Sequence, residues 1–178
     1  MTRRIVIAWT LVFIGLPVLG VGAPASAAVR IDAGAELQAD AETVRHIEDV
    51  FNRAEDAIKE KDLDALMTVY SVHYRYNNLT KADMRTIWKE FFEHYDRIAT
   101  LHSFSRIMVT LGTPPTADLT CTGALWATVD QTDQRVNLSI WAGDIHHLIY
   151  EEGAWKILGQ RRNAPNRPDV TQSPPPLF

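Results

Sequence analysis

The stretch RVNLSIWAGDIHHLIYEEGAWKILGQR, residues 135–161, decides the fold of this chain. Its pattern predicts two antiparallel strands joined by a tight turn at Glu151–Ala154, where Gly153 can take the positive φ that such turns require. In the first strand apolar residues alternate with polar ones, which is typical of a strand with one buried face. The apolar positions are Val136, Leu138, Ile140 and Ala142. A sheet face this apolar has to be covered, and the segments upstream are expected to cover it.

Three amphipathic helices are predicted upstream of these strands. Asp40 is a suitable N-cap for the first, Asp62 starts a shorter second one, and Thr80 opens the third with a capping box. Trp88 lies in the middle of the apolar stripe of the third helix and is expected to be buried. The segments with strand character are residues 101–112, 117–129, 135–150 and 155–161. Helices followed by strands predict an α+β fold class.

The two ends of the chain differ in composition from the rest. Residues 1–27 combine two arginines with an apolar run and a final Ala-Ser-Ala, which predicts a secretory signal peptide. Residues 28–39 are small and polar and predict a linker, residues 40–161 are the predicted domain, and residues 162–178 form a proline-rich tail. The mature protein is therefore expected to be exported, either periplasmic or secreted, and not bound to the membrane after cleavage.

Charge and cysteine usage narrow the classes of partner. Removal of residues 1–27 changes the formal charge from −4 to −6, and no basic patch remains, so nucleic acid is not an expected partner. Cys121 is the only cysteine and cannot form an internal disulfide. In an oxidising compartment its thiol is expected to be buried or paired between chains.

Three segments resemble the nuclear transport factor 2-like (NTF2-like, or SnoaL-like) superfamily: KDLDALMTVY at 61–70, KADM at 81–84 and EGAWKI at 152–157. The resemblance spans residues 40–161 and implies a cone-shaped fold. In that fold three N-terminal helices pack on a strongly bent antiparallel sheet and leave a pocket. It also implies frequent homodimers through sheet faces and diverse functions. These range from ketosteroid isomerases, dehydratases and polyketide cyclases to members without catalysis, so the fold alone does not fix the function.

Asp144 and His146 are the predicted catalytic residues. If the strand phase continues through Gly143, both lie on the apolar face that contains Ile140, where an acid and an imidazole could act as base and proton relay. A bulge at Gly143, which the length of this strand favours, would reverse the phase and turn His147 inward instead. The alternative to catalysis is a hydrogen-bonded structural pair at the mouth of the pocket.

Aromatic and imidazole side chains are predicted to line the pocket as ligand contacts. They are Tyr70, Tyr74, Tyr76, Trp88, His102 and Trp126. No HxH or HExxH spacing occurs, and His146 and His147 are adjacent on a strand and point in opposite directions, so no metal site is predicted. No cofactor is predicted, and the absence of a GxSxG motif gives no support to a nucleophilic serine site.

The leading functional prediction is an exported, non-catalytic protein that binds a small, mostly apolar or aromatic ligand, or a partner chain, and forms a homodimer. The first alternative is a cofactor-free isomerase, dehydratase or polyketide-cyclase-type enzyme that uses Asp144 and His146. The second alternative is a structural or assembly module. A pocket on which Asp144 and His146 converge would favour the enzyme, whereas a filled cone would favour assembly.

Overall fold

The computed structural model describes residues 29–130 and 132–161. The predicted signal peptide (residues 1–27) and the predicted proline-rich tail (residues 162–178) lie outside the described residues. Helices and strands make up a mixed α+β domain. In chain order they are β1 (Val29–Gln38), α1 (Ala41–Lys59), α2 (Leu63–Thr68), β2 (Tyr70–Tyr76), β3 (Leu79–Thr80), α3 (Lys81–His94), β4 (Tyr95–Thr110), β5 (Thr116–Val129), β6 (Arg135–Glu151) and β7 (Ala154–Arg161). None of the helices in this part of the chain is long and apolar enough to cross a membrane.

The helices begin at the caps that the sequence predicts. Asp40 accepts a hydrogen bond from the backbone N–H of Thr43 at 2.8 Å, and Asp62 caps α2 in the same way. At the start of α3, Thr80 and Asp83 form a reciprocal capping box. Each cap satisfies backbone donors that the first turn of a helix leaves without partners, so these polar side chains fix where the helices start.

The sheet has seven strands in the order β1-β4-β5-β6-β7-β2-β3 within the described residues. The sequence predicted an antiparallel sheet, and this is wrong at two places: β1 pairs with β4 in parallel, and so does β2 with β7. The four strands in the middle, β4 to β7, pair antiparallel through short connections. Parallel pairing needs a long crossover, and the helices between β1 and β4 supply one.

The segment predicted as a linker, residues 28–39, contains strand β1. Val29, Ile31 and Leu37 alternate with polar residues, and the strand runs along β4 from Val29 opposite His102 to Gln38 opposite Met108. A shift in register between Ile31 and Glu36 accommodates the small residues in between. The linker prediction failed because the partner of this strand lies far along the chain, where local composition gives no signal.

The β6–β7 hairpin has the predicted turn but not the predicted phase. Glu152 and Gly153 both have positive φ (54° and 79°), as a two-residue hairpin turn requires. The register shifts between the Cys121–Asp144 pair and the Gly123–Trp141 pair, so β6 has one extra residue there. Gly143, at φ 69°, lies in this bulge, and the expectation of a bulge there is confirmed.

The bulge changes which residues of β6 face the core. Trp141 is buried before it, and Asp144 and His146 are buried after it. Ile140 is 70% exposed and Ala142 is also exposed, so the sequence assigned the wrong face to these two positions, whereas Leu138 is partly buried and packs against the core. Because an extra residue inverts the alternation, the odd-numbered Trp141 and the even-numbered Asp144 and His146 are all buried.

The core lies between the helices and one face of the sheet, called here the inner face. Its largest fully buried side chains are Trp88, Tyr70, Tyr74, Phe51, Phe104, Ile47, Ile58, Leu66, Met84, Ile107, Leu119 and Leu125. The predicted burial of Trp88 is therefore confirmed. Helix α1 packs on β4 and β7, which places its Phe51 over the part of the inner face that carries polar side chains.

Candidate functional site

Polar side chains interrupt the apolar inner face on β6 and β7. Asp144 lies opposite Cys121 on β5, and His146 lies between Leu119 on β5 and Gln160 on β7. Asp144 is 5% exposed and His146 is completely buried. Asp144 and His146 thus lie on the face toward the helices, as predicted, although the bulge and not an unbroken phase puts them there.

His146 occupies an aromatic environment without polar partners. The centroid of its ring lies 5.5 Å from that of Phe51 and 6.5 Å from that of Phe104. Neither ring nitrogen has a hydrogen-bond partner in the described part of the chain. Burial, followed by the charges of His102 and His147, holds the pKa of His146 well below its usual range. The imidazole is therefore neutral at pH 7.

The carboxylate partner of a buried histidine is Glu55 and not Asp144. Nδ1 of His102 donates to Oε1 of Glu55 at 3.1 Å, and His102 is fully buried on β4. Asp144 instead accepts a hydrogen bond of 3.4 Å from the side-chain amide of Gln160. The rings of His102 and His146 are 6.0 Å apart, so the two imidazoles are neighbours. A carboxylate can only accept, so Nδ1 of His102 is the donor in this hydrogen bond.

Glu55 is a site residue that sequence reasoning missed. Only 13% of its side chain is exposed, although it carries a carboxylate. It follows Phe51 by four residues and directly follows buried Ala54, so it lies on the edge of the apolar stripe. An acidic residue at the edge of the apolar stripe, where the helix meets the sheet, is the sequence signal that could have identified Glu55.

Two cavities open beside α1. The larger, of about 1200 Å³, is called the α1–β4 cavity. Its lining residues are Asn52, Glu55, Asp56, Ile58, Lys59, Glu60, Lys61, Asp96, Arg97, Ile98, Ala99, Thr100, Thr128, Val129, Asp130 and Asp133. The smaller, of about 360 Å³, lies between α1 and the β6–β7 turn. Asp144 and His146 line neither cavity, but Glu55 joins the α1–β4 cavity to His102 and so to the buried imidazoles.

The predicted aromatic residues are divided between two places. Nε1 of Trp88 donates to the hydroxyl of Tyr70 at 3.0 Å, and the rings of Tyr70 and Tyr74 meet edge to face at 5.1 Å. Burial raises the pKa values of both tyrosines. Tyr76 is also buried, at the end of the same strand. This cluster is separate from His146, whose ring contacts are with Phe51, His102 and Phe104.

Trp126 lies on the other face of the sheet. Its neighbours Leu125 and Ala127 are buried, so alternation turns Trp126 away from the helices. The guanidinium of Arg135 stacks over its ring at 5.9 Å from the centroid. Trp126 therefore lies apart from the ring contacts of His146, because adjacent strand positions face opposite ways.

The described residues contain no group of three or more histidine, cysteine, aspartate or glutamate side chains placed to hold a metal ion. Cys121 is buried and accepts a hydrogen bond from Nε1 of Trp141 at 3.3 Å. Burial raises the pKa of its thiol to about 12, which keeps it protonated and unreactive.

Solved structures share this fold at low sequence identity. A candidate aromatic ring hydroxylase from Novosphingobium aromaticivorans is 18% identical, with a TM-score of 0.55 over 72% of this chain and 94% of that one. A candidate calcium/calmodulin-dependent protein kinase II association domain from Xanthomonas campestris is 15% identical, with a TM-score of 0.53 over 80% and 99%. A candidate dehydratase of the NTF2-like family from Streptomyces avermitilis is 10% identical, with a TM-score of 0.51 over 68% and 96%.

The chain has the NTF2-like fold. No protein-family model matches its sequence, and the comparison with curated proteins finds no match. The three structures have names as different as hydroxylase, dehydratase and association domain. The fold is therefore assigned without an activity, and the function has to be argued from the side chains of this NTF2-like domain.

Proposed function

We propose that this protein is an exported NTF2-like protein that binds a small, mostly apolar ligand between helix α1 and the inner face of the sheet. The observation that supports this most directly is the position of Glu55. Its carboxylate lines the α1–β4 cavity and also hydrogen-bonds His102, which lies beside His146. In the proposed arrangement the three helices close over a bent sheet as a cone, and the cavity is the opening of that cone.

His146 is a second unusual polar feature of this region, behind the cavity lining: it lies beside His102, the partner of Glu55. A buried polar group without a hydrogen bond costs about 1–3 kcal/mol, so such groups are rare in cores that serve only for packing. Phe51 and Phe104 surround the imidazole with apolar surface. Small-molecule sites combine such apolar walls with a few polar groups that orient the ligand.

Ligand binding can be tested with a neutral apolar dye. Nile red is titrated into the mature protein and into Glu55→Leu and Glu42→Leu variants. Glu42 lies exposed in the first turn of α1, outside both cavities, and is the matched control. We expect saturable fluorescence in the parent protein, altered affinity in Glu55→Leu, and no change in Glu42→Leu. Native mass spectrometry of the exported protein should also show a retained small molecule. If the dye does not saturate and no mass is retained, ligand binding is rejected.

The Glu55–His102 pair also supports an enzyme as the second candidate. A carboxylate that orients an imidazole leaves Nε2 able to accept a proton, which is the arrangement of a general base. A cofactor-free isomerase or dehydratase would use such a base, and this pair replaces the predicted Asp144 and His146 as the more direct candidate.

The activity of such a base can be measured with 5-nitrobenzisoxazole, whose ring opens when a base removes one proton. If the pair acts as an enzymatic base, the rate should saturate with substrate and exceed the rate in buffer. Both Glu55→Gln and His102→Gln should lower it. His73→Gln is the control, because His73 is exposed on β2. A rate that equals the buffer rate would remove the support for a base.

Export and dimerisation complete the proposal. Residues 1–27 are proposed to be cleaved, and intact-mass measurement of the exported protein should give a chain that begins at Ala28. We also propose a homodimer through the outer face of the sheet, where Ile140 is 70% exposed. A partner chain on this face would cover the apolar side chains that the bulge turns away from the core.

A further inference from the structure

The α1–β4 cavity has an acidic lining. It is bounded by the last turns of α1, the first part of β4 and the end of β5. Six carboxylates line it, against three cationic side chains: Glu55, Asp56, Glu60, Asp96, Asp130 and Asp133 against Lys59, Lys61 and Arg97. The C-terminal end of a helix carries partial negative charge, so the last turn of α1 adds to the negative potential.

Two of the three cations are already paired at the rim. Lys61 forms an ion pair with Asp96, and Arg97 forms one with Asp133. Within each pair the two charges neutralise each other, and each of the four side chains is at least one-third exposed. Outside these two pairs, the carboxylates that line the cavity outnumber the one lysine, Lys59. The cavity therefore keeps a negative field that favours a positive ligand.

A second and independent observation comes from Thr100. This residue is 5% exposed, lines the cavity from β4, and its hydroxyl oxygen has no hydrogen-bond partner in the described residues. A threonine in a strand normally satisfies its hydroxyl with backbone or water, and a buried exception needs an explanation. An oxygen acceptor of this kind is suited to an N–H donor of a ligand.

Apolar side chains complete the wall. Ile58 and Ile98 are buried and Val129 is partly exposed, and all three line the same cavity as Glu55 and Thr100. A purely inorganic cation would gain nothing from this surface. A ligand with a hydrocarbon part and one charged nitrogen would be complementary both to the apolar wall and to the carboxylates.

We infer that the α1–β4 cavity binds a small organic cation, with an ammonium group between Glu55 and Thr100 and an apolar part against Ile58 and Ile98. This inference rests on the proposed ligand-binding function and names the chemical class of the ligand. The carboxylate of Glu55 then accepts from the ammonium group as well as from His102. The ion pairs at the rim limit the width of the opening.

Three probes of one shape separate charge from size: benzylammonium, benzyl alcohol and benzoate. Each is titrated into the mature protein by calorimetry at low and at high salt. We expect benzylammonium to bind about tenfold more tightly than benzyl alcohol, the ratio that one charge-assisted hydrogen bond gives. Benzoate should not bind, and added salt should reduce the preference for the cation.

Two near-isosteric substitutions locate the cation. Glu55→Gln should reduce the preference for benzylammonium to within about threefold, whereas Glu42→Gln on the exposed first turn of α1 should leave it unchanged. Thr100→Val should weaken benzylammonium several-fold without lowering the stability of the free protein, because the hydroxyl has no hydrogen bond to lose there. Unchanged binding in both cavity variants would overturn the inference.

The failure of the inference is distinguishable from the failure of the proposed function. Equal affinity for benzylammonium and benzyl alcohol would overturn the cation class and leave a neutral-ligand cavity. Preference for benzoate would show that the cavity favours anions, and would overturn the inference. If benzylammonium does not bind, the inference fails, and saturable binding of Nile red decides whether the cavity binds small molecules at all.

Discussion

At the scale of single residues, the burial of His146 makes the stability of the folded protein depend on pH. Its imidazole is completely buried, has no hydrogen-bond partner in the described chain, and has a pKa well below the usual range. In the unfolded chain the same group titrates near the ordinary value of about 6.5. Below that pH the unfolded state binds a proton that the folded state does not accept, so this histidine lowers stability as the pH falls.

The His146→Phe variant should therefore be less sensitive to acid than the parent protein. We expect similar or higher stability at pH 7, since Phe is apolar and lies among Phe51 and Phe104. From about pH 6.5 downward, the free energy of unfolding of the parent should fall relative to the variant by about 1.4 kcal/mol per pH unit. Urea titrations between pH 7 and pH 5 measure this difference.

A matched control is His73→Phe, because His73 is exposed on β2. This variant removes an exposed histidine, and its pH curve gives the baseline against which the slope of His146→Phe is judged. Parallel pH curves for the parent and His146→Phe would show that His146 is protonated in the folded protein, and would contradict the neutral imidazole on which the binding site is built.

At the scale of elements, the bulge in β6 selects the residues of the site. Gly143 has a φ of 69°, and its N–H donates to the hydroxyl of Thr122 at 3.2 Å. Residues with a Cβ adopt this conformation at a cost of roughly 1–2 kcal/mol. The extra residue lets Trp141 and Asp144 both face inward although three positions separate them.

Gly143→Ala should consequently lower the free energy of unfolding by about 1–2 kcal/mol. The control is Gly34→Ala in β1, where an added Cβ would meet no atom within 4 Å and φ is not positive. Denaturant titration of both variants measures the effect. Equal losses of stability would indicate that Gly143 can be replaced without strain and that the bulge does not depend on glycine.

The elements show what a sequence pattern can and cannot determine. Caps, the Gly153 turn and the strands from β4 onward follow from local chemistry and were predicted. The β1 strand was not, because its partner is distant: Arg30 donates to the hydroxyl of Ser103, 73 positions along the chain. The burial of Asp144 and His146 was predicted from an unbroken phase, whereas one extra residue produces it. Glu55 was missed because its burial depends on which part of the sheet α1 covers.

At the scale of the whole molecule, the outer face of the sheet bears on assembly. Ile140 is 70% exposed there, in register with Ala124 and Leu101 on the neighbouring strands. Together these three side chains form an apolar row, and contiguous apolar patches of this kind mark surfaces that bind partners. The proposed homodimer supplies that surface by two-fold contact between identical patches.

Ile140→Lys should convert the dimer to a monomer without unfolding it. Two lysines brought together at a two-fold interface repel each other, while each remains solvated on the isolated chain. Light scattering coupled to size-exclusion chromatography measures the mass, and circular dichroism verifies the fold. The control is Val72→Lys, since Val72 is 61% exposed on β2, away from this register row. A parent protein that is already monomeric would contradict the dimer.

The parallel pairing of β1 with β4 has a consequence for solubility. Without β1, the sixteen residues of β4 would form the edge of the sheet and present a row of unsatisfied backbone donors and acceptors. Long open edges recruit strands from other molecules and lead to aggregation. In the described chain the edge is instead β1, ten residues interrupted by a register shift between Ile31 and Glu36, and the opposite edge is β3, which has only two residues. Trimming the chain back to Ala39 would therefore replace a short, interrupted edge by a longer one and make the sheet a template for fibrous self-association.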